Sequence, residues 1–167
     1  MRSGFLTSYS SVNSVLEQPR PTSAQPSDSY VPLPALLGEL KEAVLDELHA
    51  RLTTLGFAEI RAAHGCVFAH VDDTGSRLTA LADRARLTKQ SVGEAVADLE
   101  RLGYVERVPD PDDGRAKIIR LTTRGAEARA AAIEIFADIE HRLASAIGEE
   151  RFARFRETLT DLYERTR

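Results

Sequence analysis

The sequence contains one stretch, Ser76–Gly125, that reads SRLTALADRARLTKQSVGEAVADLERLGYVERVPDPDDGRAKIIRLTTRG. Its pattern predicts a short helix, a tight turn, a longer amphipathic helix and two strands joined by an acidic, proline-containing tip. This order is typical of a helix-turn-helix followed by a β-hairpin wing. We therefore predict a mainly α fold with a small β-wing, in which a winged helix-turn-helix is flanked by N- and C-terminal dimerisation helices.

The first half of the stretch predicts two helices with a turn between them. We expect Thr79 to cap the short helix, Arg86-Leu87 to form the turn and Thr88 to cap the second helix. From Thr88 onward, apolar residues recur at helical spacing: Val92, Ala95, Val96, Leu99 and Leu102. The polar face at the beginning of this helix carries Thr88, Lys89, Gln90, Ser91 and Glu94. Because a recognition helix contacts bases near its N terminus, we predict that these five side chains bind DNA.

The second half predicts the wing. Tyr104–Val108 and Lys117–Leu121 alternate polar with apolar residues, and we expect Pro109–Gly114 to interrupt the ladder between them. Side chains two residues apart in an extended segment point the same way, so the Asp113 carboxylate is expected to orient the Arg115 guanidinium. An oriented arginine suits a phosphate or a narrow minor groove, although the pair alone is also compatible with a solvated turn. The predicted DNA-binding residues of the wing are Asp113, Arg115 and Lys117.

Four motifs in this stretch resemble the multiple-antibiotic-resistance regulator (MarR) family. In chain order they are Leu87–Val92 (LTKQSV), Leu99–Arg107 (LERLGYVER), Asp110–Ala116 (DPDDGRA) and Leu121–Gly125 (LTTRG). Each motif is weak alone, but four in this order and spacing are specific, and the resemblance extends from about Pro34 to the C terminus. It implies a dimeric winged-helix transcription regulator, with Asp113 and Arg115 at the DNA backbone and minor groove. Gly93 and Glu94 depart from the polar and basic residues that many relatives carry there.

The resemblance also implies regulation by a small molecule. Members of the family often bind an aromatic or phenolic effector between the dimerisation helices and the DNA-binding lobe. The candidate ligand-binding residues are Phe57, His64, Phe68 and His70, for which an ordinary place in the core is the alternative. Relatives that sense peroxide use a cysteine, so redox control through Cys66, the only cysteine of the chain, is an alternative mode of regulation. Cys66 is also typical of a small core residue.

The remaining sequence divides into a tail and a set of helices. Residues 1–30 are rich in Ser, Pro, Thr and Gln, which indicates either a disordered tail or an overextended translation start. Residues 31–167 are predicted to form the MarR-type winged-helix domain. Within it we expect a DNA-binding lobe at about 58–123 and dimerisation helices at about 34–55 and 123–165.

Apolar stripes predict the helices around the central stretch. The first begins at Pro34 and carries Leu37, Leu40, Val44, Leu45, Leu48, Leu52 and Leu55. A second is predicted at Ala58–His70, with Ile60, Ala63, Val67 and Phe68 directed inward. Thr122 is expected to cap a long helix after the wing, and a last helix follows Gly148. Because a small wing lobe cannot cover all of these stripes, we predict a homodimer, with a monomeric helical cap as the alternative.

Composition and motifs exclude several classes of function. The chain has a net charge of −4. Within it, Ser76–Gly125 has ten basic and eight acidic side chains, so the net charge of this segment is positive, as expected of a DNA-binding segment. The absence of a long apolar run, of a secretory signal and of paired cysteines predicts a cytoplasmic protein without membrane contact. No nucleotide-binding, nucleophile or zinc-site motif is present, so we predict no enzyme activity, no cofactor and no metal. The competing function is a winged helix that binds protein through Glu94 and Asp98.

Overall fold

A computed structural model of the chain describes residues 30–111 and 113–166. Within these residues the elements, in chain order, are α1 (Leu33–Thr54), a 3₁₀ turn (Ala62–His64), α2 (Gly65–Phe68), β1 (Ser76–Arg77), α3 (Leu78–Ala85), α4 (Lys89–Arg101), β2 (Val105–Asp110), β3 (Asp113–Leu121), α5 (Thr123–Ile147) and α6 (Glu149–Arg165). The prediction of a mainly α fold with a small β-wing is confirmed. The predicted tail at residues 1–30 lies, apart from Tyr30, outside the described residues.

The chain divides into two compact units. One comprises residues 37–139, and it contains the helix-turn-helix and the wing. The other comprises, among the described residues, 30–36 and 140–166. The predicted division into a DNA-binding lobe and dimerisation helices stays a prediction, since both α1 and α5 extend from one unit into the other.

Helices α3 and α4 meet in the predicted turn. Arg86 has a left-handed backbone, with φ of 53°, and the backbone N–H of Leu87 donates to the Ala82 carbonyl oxygen. Thr88 then caps α4, because its Oγ1 accepts from the backbone N–H of Ser91 at 3.1 Å. Gly103 follows the helix with φ of 80°, as expected of a residue that tolerates left-handed geometry.

The predicted cap of α3 is wrong. Helix α3 begins at Leu78, one residue before Thr79, and the capping position is occupied by Arg77 without a side-chain cap bond. The reason is that the chain enters α3 directly from β1, a strand of two residues that the sequence pattern did not predict. The backbone of Ser76 and Arg77 is held by pairing with Ile119 and Ile118 of β3.

The core of the larger unit fixes the orientation of α4. It is a cluster of buried residues from α2, α3, α4, the sheet, α5 and the segments that follow α2 and α4, namely Val67, Val71, Leu81, Ala82, Val92, Ala95, Val96, Leu99, Tyr104, Val105, Ile119 and Ala128. The predicted inner face of α4 is therefore confirmed, apart from Leu102, which is half-buried. Burying one Val or Leu side chain contributes roughly 1.5–3 kcal/mol. Rotating α4 to bury its polar face would lose several such contributions.

The wing is an antiparallel sheet with strand order β1-β3-β2. Strand β2 pairs with β3 from Val105 opposite Leu121 to Pro109 opposite Lys117, and the register then shifts so that Asp110 lies opposite Asp113. The expectation that Pro109–Gly114 interrupts the ladder is therefore wrong, because most of this segment belongs to the strands. Pro109 is tolerated because β2 is an edge strand and the register shifts directly after it.

The predicted helix at Ala58–His70 is much shorter in the structure, where only residues 62–68 are helical. Arg61 is extended, with φ of −119° and ψ of 163°, so the helix begins after it. The backbone N–H of Arg61 donates to Nδ1 of His64 at 3.2 Å, which stabilises this beginning. Of the residues expected to point inward, Val67 is buried, Ile60 and Phe68 are half-buried, and Ala63 is exposed.

The long helices begin and end close to their predicted positions. Helix α1 begins one residue before Pro34, and the cap of α5 is confirmed because Thr122 Oγ1 accepts from the backbone N–H of Gly125 at 3.1 Å. A Cβ at Gly125 would overlap the backbone carbonyl oxygen of Tyr104, so only glycine fits there. Helix α6 has no buried residue along its described length.

Candidate nucleic-acid interface

The beginning of α4 presents a compact polar surface. Its five predicted DNA-binding side chains, Thr88, Lys89, Gln90, Ser91 and Glu94, are all exposed. The hydroxyls of Thr88 and Ser91 are 2.8 Å apart, and Gln90 Nε2 donates to Glu94 Oε1 at 3.1 Å. The backbone N–H groups of a helix N terminus also favour an anion. This end of α4 therefore offers hydroxyl, amide and ammonium groups, beside the Glu94 carboxylate, to a polar, negatively charged partner.

The wing carries an exposed cationic pair, Arg115 and Lys117. The Asp113 carboxylate binds the backbone N–H of Arg115 at 3.1 Å rather than its guanidinium, so the predicted side-chain pairing is wrong. The prediction assumed that side chains two residues apart point the same way along a regular strand. The register shift removes that regular alternation here. Within residues 30–111 and 113–166 the Arg115 guanidinium makes no hydrogen bond or ion pair, and it is available to a phosphate.

An ion pair connects β1 to the tip end of the wing. Arg77 Nε donates to Asp110 Oδ2 at 2.6 Å, and Asp110 is only 6% exposed. A charge-assisted bond to a nearly buried carboxylate is short and strong, and it connects β1 to the end of β2. Sequence reasoning missed this pair because its members are 33 residues apart.

The C-terminal half of α4 is tied to the segment before α2 by a charged cluster around Asp98. His64 is 1% exposed and its Nδ1 accepts from a backbone N–H, so its Nε2 carries the proton and donates to Asp98 Oδ2 at 2.9 Å. Burial lowers the pKa of His64. Hydrogen bonds from Arg101, His64 and Arg61 lower the pKa of Asp98 from 3.8 to about 2.

Asp98 is consequently not part of an exposed face. Its side chain is 18% exposed and already has three hydrogen-bond donors. The protein-binding alternative depended on Asp98 and Glu94 together, and of the two only Glu94 is exposed.

A cavity of about 620 Å³ lies within the larger unit. Apolar side chains of α1, α2 and α5 form most of its wall, and the basic residues that line it are His49, Arg61 and Arg129. Of the four predicted ligand-binding residues, Phe68 lines this cavity, whereas Phe57, His64 and His70 are not among its lining residues. Phe57 instead packs against Tyr104, with ring centroids 6.3 Å apart, and against the Arg124 guanidinium. The three basic residues were missed because they come from separate segments.

Cys66 is poorly suited to redox sensing. Its side chain is half-buried, and its Sγ donates to the Ala63 carbonyl oxygen at 3.2 Å. Burial raises the pKa of the Cys66 thiol. The reactive species is the thiolate, so this environment favours the inert form. Among the described residues, no cluster of His, Cys, Asp or Glu could hold a metal, and no helix is long and apolar enough to cross a membrane.

The fold and site together define a winged helix-turn-helix protein: a capped helix with an exposed polar N terminus, followed by an antiparallel wing with an exposed arginine. The model of the MarR family matches residues 59–116, which contain α2 to α4, β2 and most of the wing tip. This match confirms the resemblance to the MarR family that the motifs indicated.

Individual proteins are similar to this chain in sequence or in fold. The chain is 35% identical over 80 residues to the transcriptional regulator HosA of Escherichia coli O111:H-, and the match covers 47% of this chain and 59% of HosA. Wild-type apo MarR from E. coli has a similar structure, with a TM-score of 0.64 at 21% identity, covering 80% of this chain and 98% of that one. A point mutant of S. aureus MepR bound to an oligodeoxyribonucleotide has a TM-score of 0.52 at 25% identity, covering 83% of this chain and all of that one. Similarity to a transcriptional regulator agrees with the prediction that the chain is not an enzyme.

Proposed function

We propose that the chain is a transcription regulator that binds double-stranded DNA in a sequence-specific manner. The observation that carries the proposal is the exposed polar N terminus of α4 on the same winged-helix frame as the exposed guanidinium of Arg115. In this proposal α4 enters the major groove, and Arg115 and Lys117 contact phosphates or the minor groove. The similarity to MepR, whose structure holds an oligodeoxyribonucleotide, supports it. We also propose the cytoplasm as the compartment of this activity.

The second element of the proposal is a homodimer. Helix α6 exposes a row of large apolar side chains that are 38–56% exposed: Phe155, Leu159, Leu162 and Tyr163. At the beginning of α1, Leu33 and Leu36 are also more than half exposed. Large apolar patches of this kind usually mark an interface. A two-fold dimer would cover them and would place two copies of α4 about 34 Å apart, the repeat of successive major grooves in a palindromic operator.

The third element is a repressor that responds to a small aromatic or phenolic acid. The 620 Å³ cavity suits such a ligand, since its wall is mainly apolar and its basic residues offer partners for a carboxylate or phenolate. Arg61 lines this cavity and also pairs with Asp98 of α4. A ligand that competes for Arg61 therefore alters a contact to the proposed recognition helix, which is a route to lower operator affinity.

The proposal is tested by selecting bound sequences from a random duplex library with the full-length protein. We expect enrichment of one palindromic sequence, and affinity for it that falls by about 0.9 log units per log unit of salt for each phosphate neutralised. Binding that is tight but equal for all duplexes would contradict sequence specificity. Failure to retain any duplex at low salt would contradict DNA binding altogether.

A further inference from the structure

Gln90 and Glu94 lie one turn apart on the exposed face of α4 and are joined by a hydrogen bond. Gln90 Nε2 is 3.1 Å from Glu94 Oε1. A carboxylate has no hydrogen to donate, so the amino group of the amide must face Glu94 and the amide oxygen must face away. The contact therefore fixes the orientation of the Gln90 amide.

This contact also limits what Gln90 can still bind. A glutamine amide has two N–H donors and one oxygen acceptor, and Glu94 uses one of the donors. One donor and one acceptor remain, which match N7 and the N6 amino group of adenine. Guanine presents two acceptors, N7 and O6, at its major-groove edge and would need both donors.

The neighbouring side chains do not offer the same planar pair. The hydroxyls of Thr88 and Ser91 lie against each other at 2.8 Å, and Thr88 Oγ1 also accepts from the Ser91 backbone N–H. Lys89 has donors only. Among the polar residues at the beginning of α4, Gln90 is thus the one with an amide suited to a two-point contact with a base.

We infer that Glu94 is a positioning residue that makes Gln90 select adenine over guanine in each half of the operator. This inference rests on the proposed function, because it applies only if α4 reads the major groove. Glu94 acts by occupying one amide donor of Gln90, and its negative charge also disfavours the acceptor atoms of guanine at the same position.

The test compares wild type with Glu94→Gln, Glu94→Ala, Gln90→Ala and the Gln90→Ala/Glu94→Ala double variant. Dissociation constants are measured by fluorescence anisotropy on the wild-type operator and on duplexes with one A·T pair replaced by G·C. Glu127→Ala, which removes an exposed carboxylate from α5, controls for the change in net charge. Circular dichroism confirms that each variant is folded.

We expect wild type to prefer adenine by about tenfold or more at one position per half-site. Glu94→Gln keeps an acceptor oxygen but loses the charge, so it should keep most of that preference, whereas Glu94→Ala should reduce it by about threefold or more. Gln90→Ala should abolish it, and Glu94→Ala should then have no further effect. Glu127→Ala should leave the preference unchanged.

The inference is overturned if Glu94→Ala retains the full adenine preference, if Glu94→Gln loses as much as Glu94→Ala, or if the preference survives Gln90→Ala. In each of these outcomes the protein still binds its operator, so the proposed function stands. A wild-type protein that binds no duplex overturns both.

Discussion

Replacing Arg115 with alanine removes an exposed guanidinium that makes no hydrogen bond or ion pair within the described residues. The free energy of unfolding should therefore change by less than about 0.5 kcal/mol. Binding to DNA should change much more. Losing one phosphate contact reduces the slope of log affinity against log salt by about 0.9. In a homodimer both symmetry-related wings lose the contact, so the slope should fall by about 1.8 in total.

The assay is fluorescence anisotropy on the selected operator, with salt varied from about 50 to about 200 mM. Urea denaturation of the same preparations reports stability. Leu99→Ala is the matched control, because Leu99 is fully buried in the core of the larger unit. We expect Leu99→Ala to lose roughly 2–5 kcal/mol of unfolding free energy, while Arg115→Ala unfolds like wild type.

Two results would refute the reasoning. If Arg115→Ala unfolds as readily as Leu99→Ala, the guanidinium is part of the folded framework rather than a DNA contact. If the variant is stable and its salt slope equals that of wild type, Arg115 neutralises no phosphate, and the wing contacts DNA by other groups.

Three further predictions concern stability and assembly. Gly125→Ala should lower the free energy of unfolding, measured in urea, by about 3 kcal/mol or more, because the alanine Cβ would overlap the Tyr104 carbonyl oxygen. A loss below about 1 kcal/mol would contradict this prediction. The pKa of Asp98 falls on folding from 3.8 to about 2, so the carboxylate stabilises the fold above pH 3.8, and this contribution is lost as the pH falls toward 2. The difference in unfolding free energy between wild type and Asp98→Asn should shrink across that window, and a constant difference would rule out this linkage. At micromolar protein concentration, Leu159→Glu on α6 should convert the dimer to a monomer in sedimentation. The control Glu157→Gln on the same helix should leave the dimer intact. A Leu159→Glu protein that is still a dimer would exclude this face from the interface.

The sequence predicted the elements whose signals are local. The inner face of α4 follows from helical spacing, its beginning from the Thr88 side chain and its end from Gly103. The exposure of the five polar residues at its N terminus follows from the same periodicity. Their individual contacts with DNA stay predictions, because exposure alone does not say which group each residue binds.

Features that depend on distant partners could not be predicted. Strand β1 has only two residues, too few for a pattern, and it exists because β3 pairs with it. The His64–Asp98 bond joins residues 34 positions apart, and neither residue type nor local spacing indicates it. Pro109 indicated a loop, and the edge position of β2 together with the register shift after Pro109 explains why it lies in a strand.

The shift in register of the wing has a consequence for how such a hairpin can change length. Because Pro109 pairs with Lys117 and Asp110 with Asp113, the three residues Gly114–Ala116 have no counterpart on the opposite strand. Residues inserted or deleted at Gly114–Ala116 would change how far Arg115 extends. The pairs from Val105 opposite Leu121 to Pro109 opposite Lys117 would keep their register. The length of the wing tip can therefore vary, by evolution or by design, independently of the paired strands and of the helices next to them.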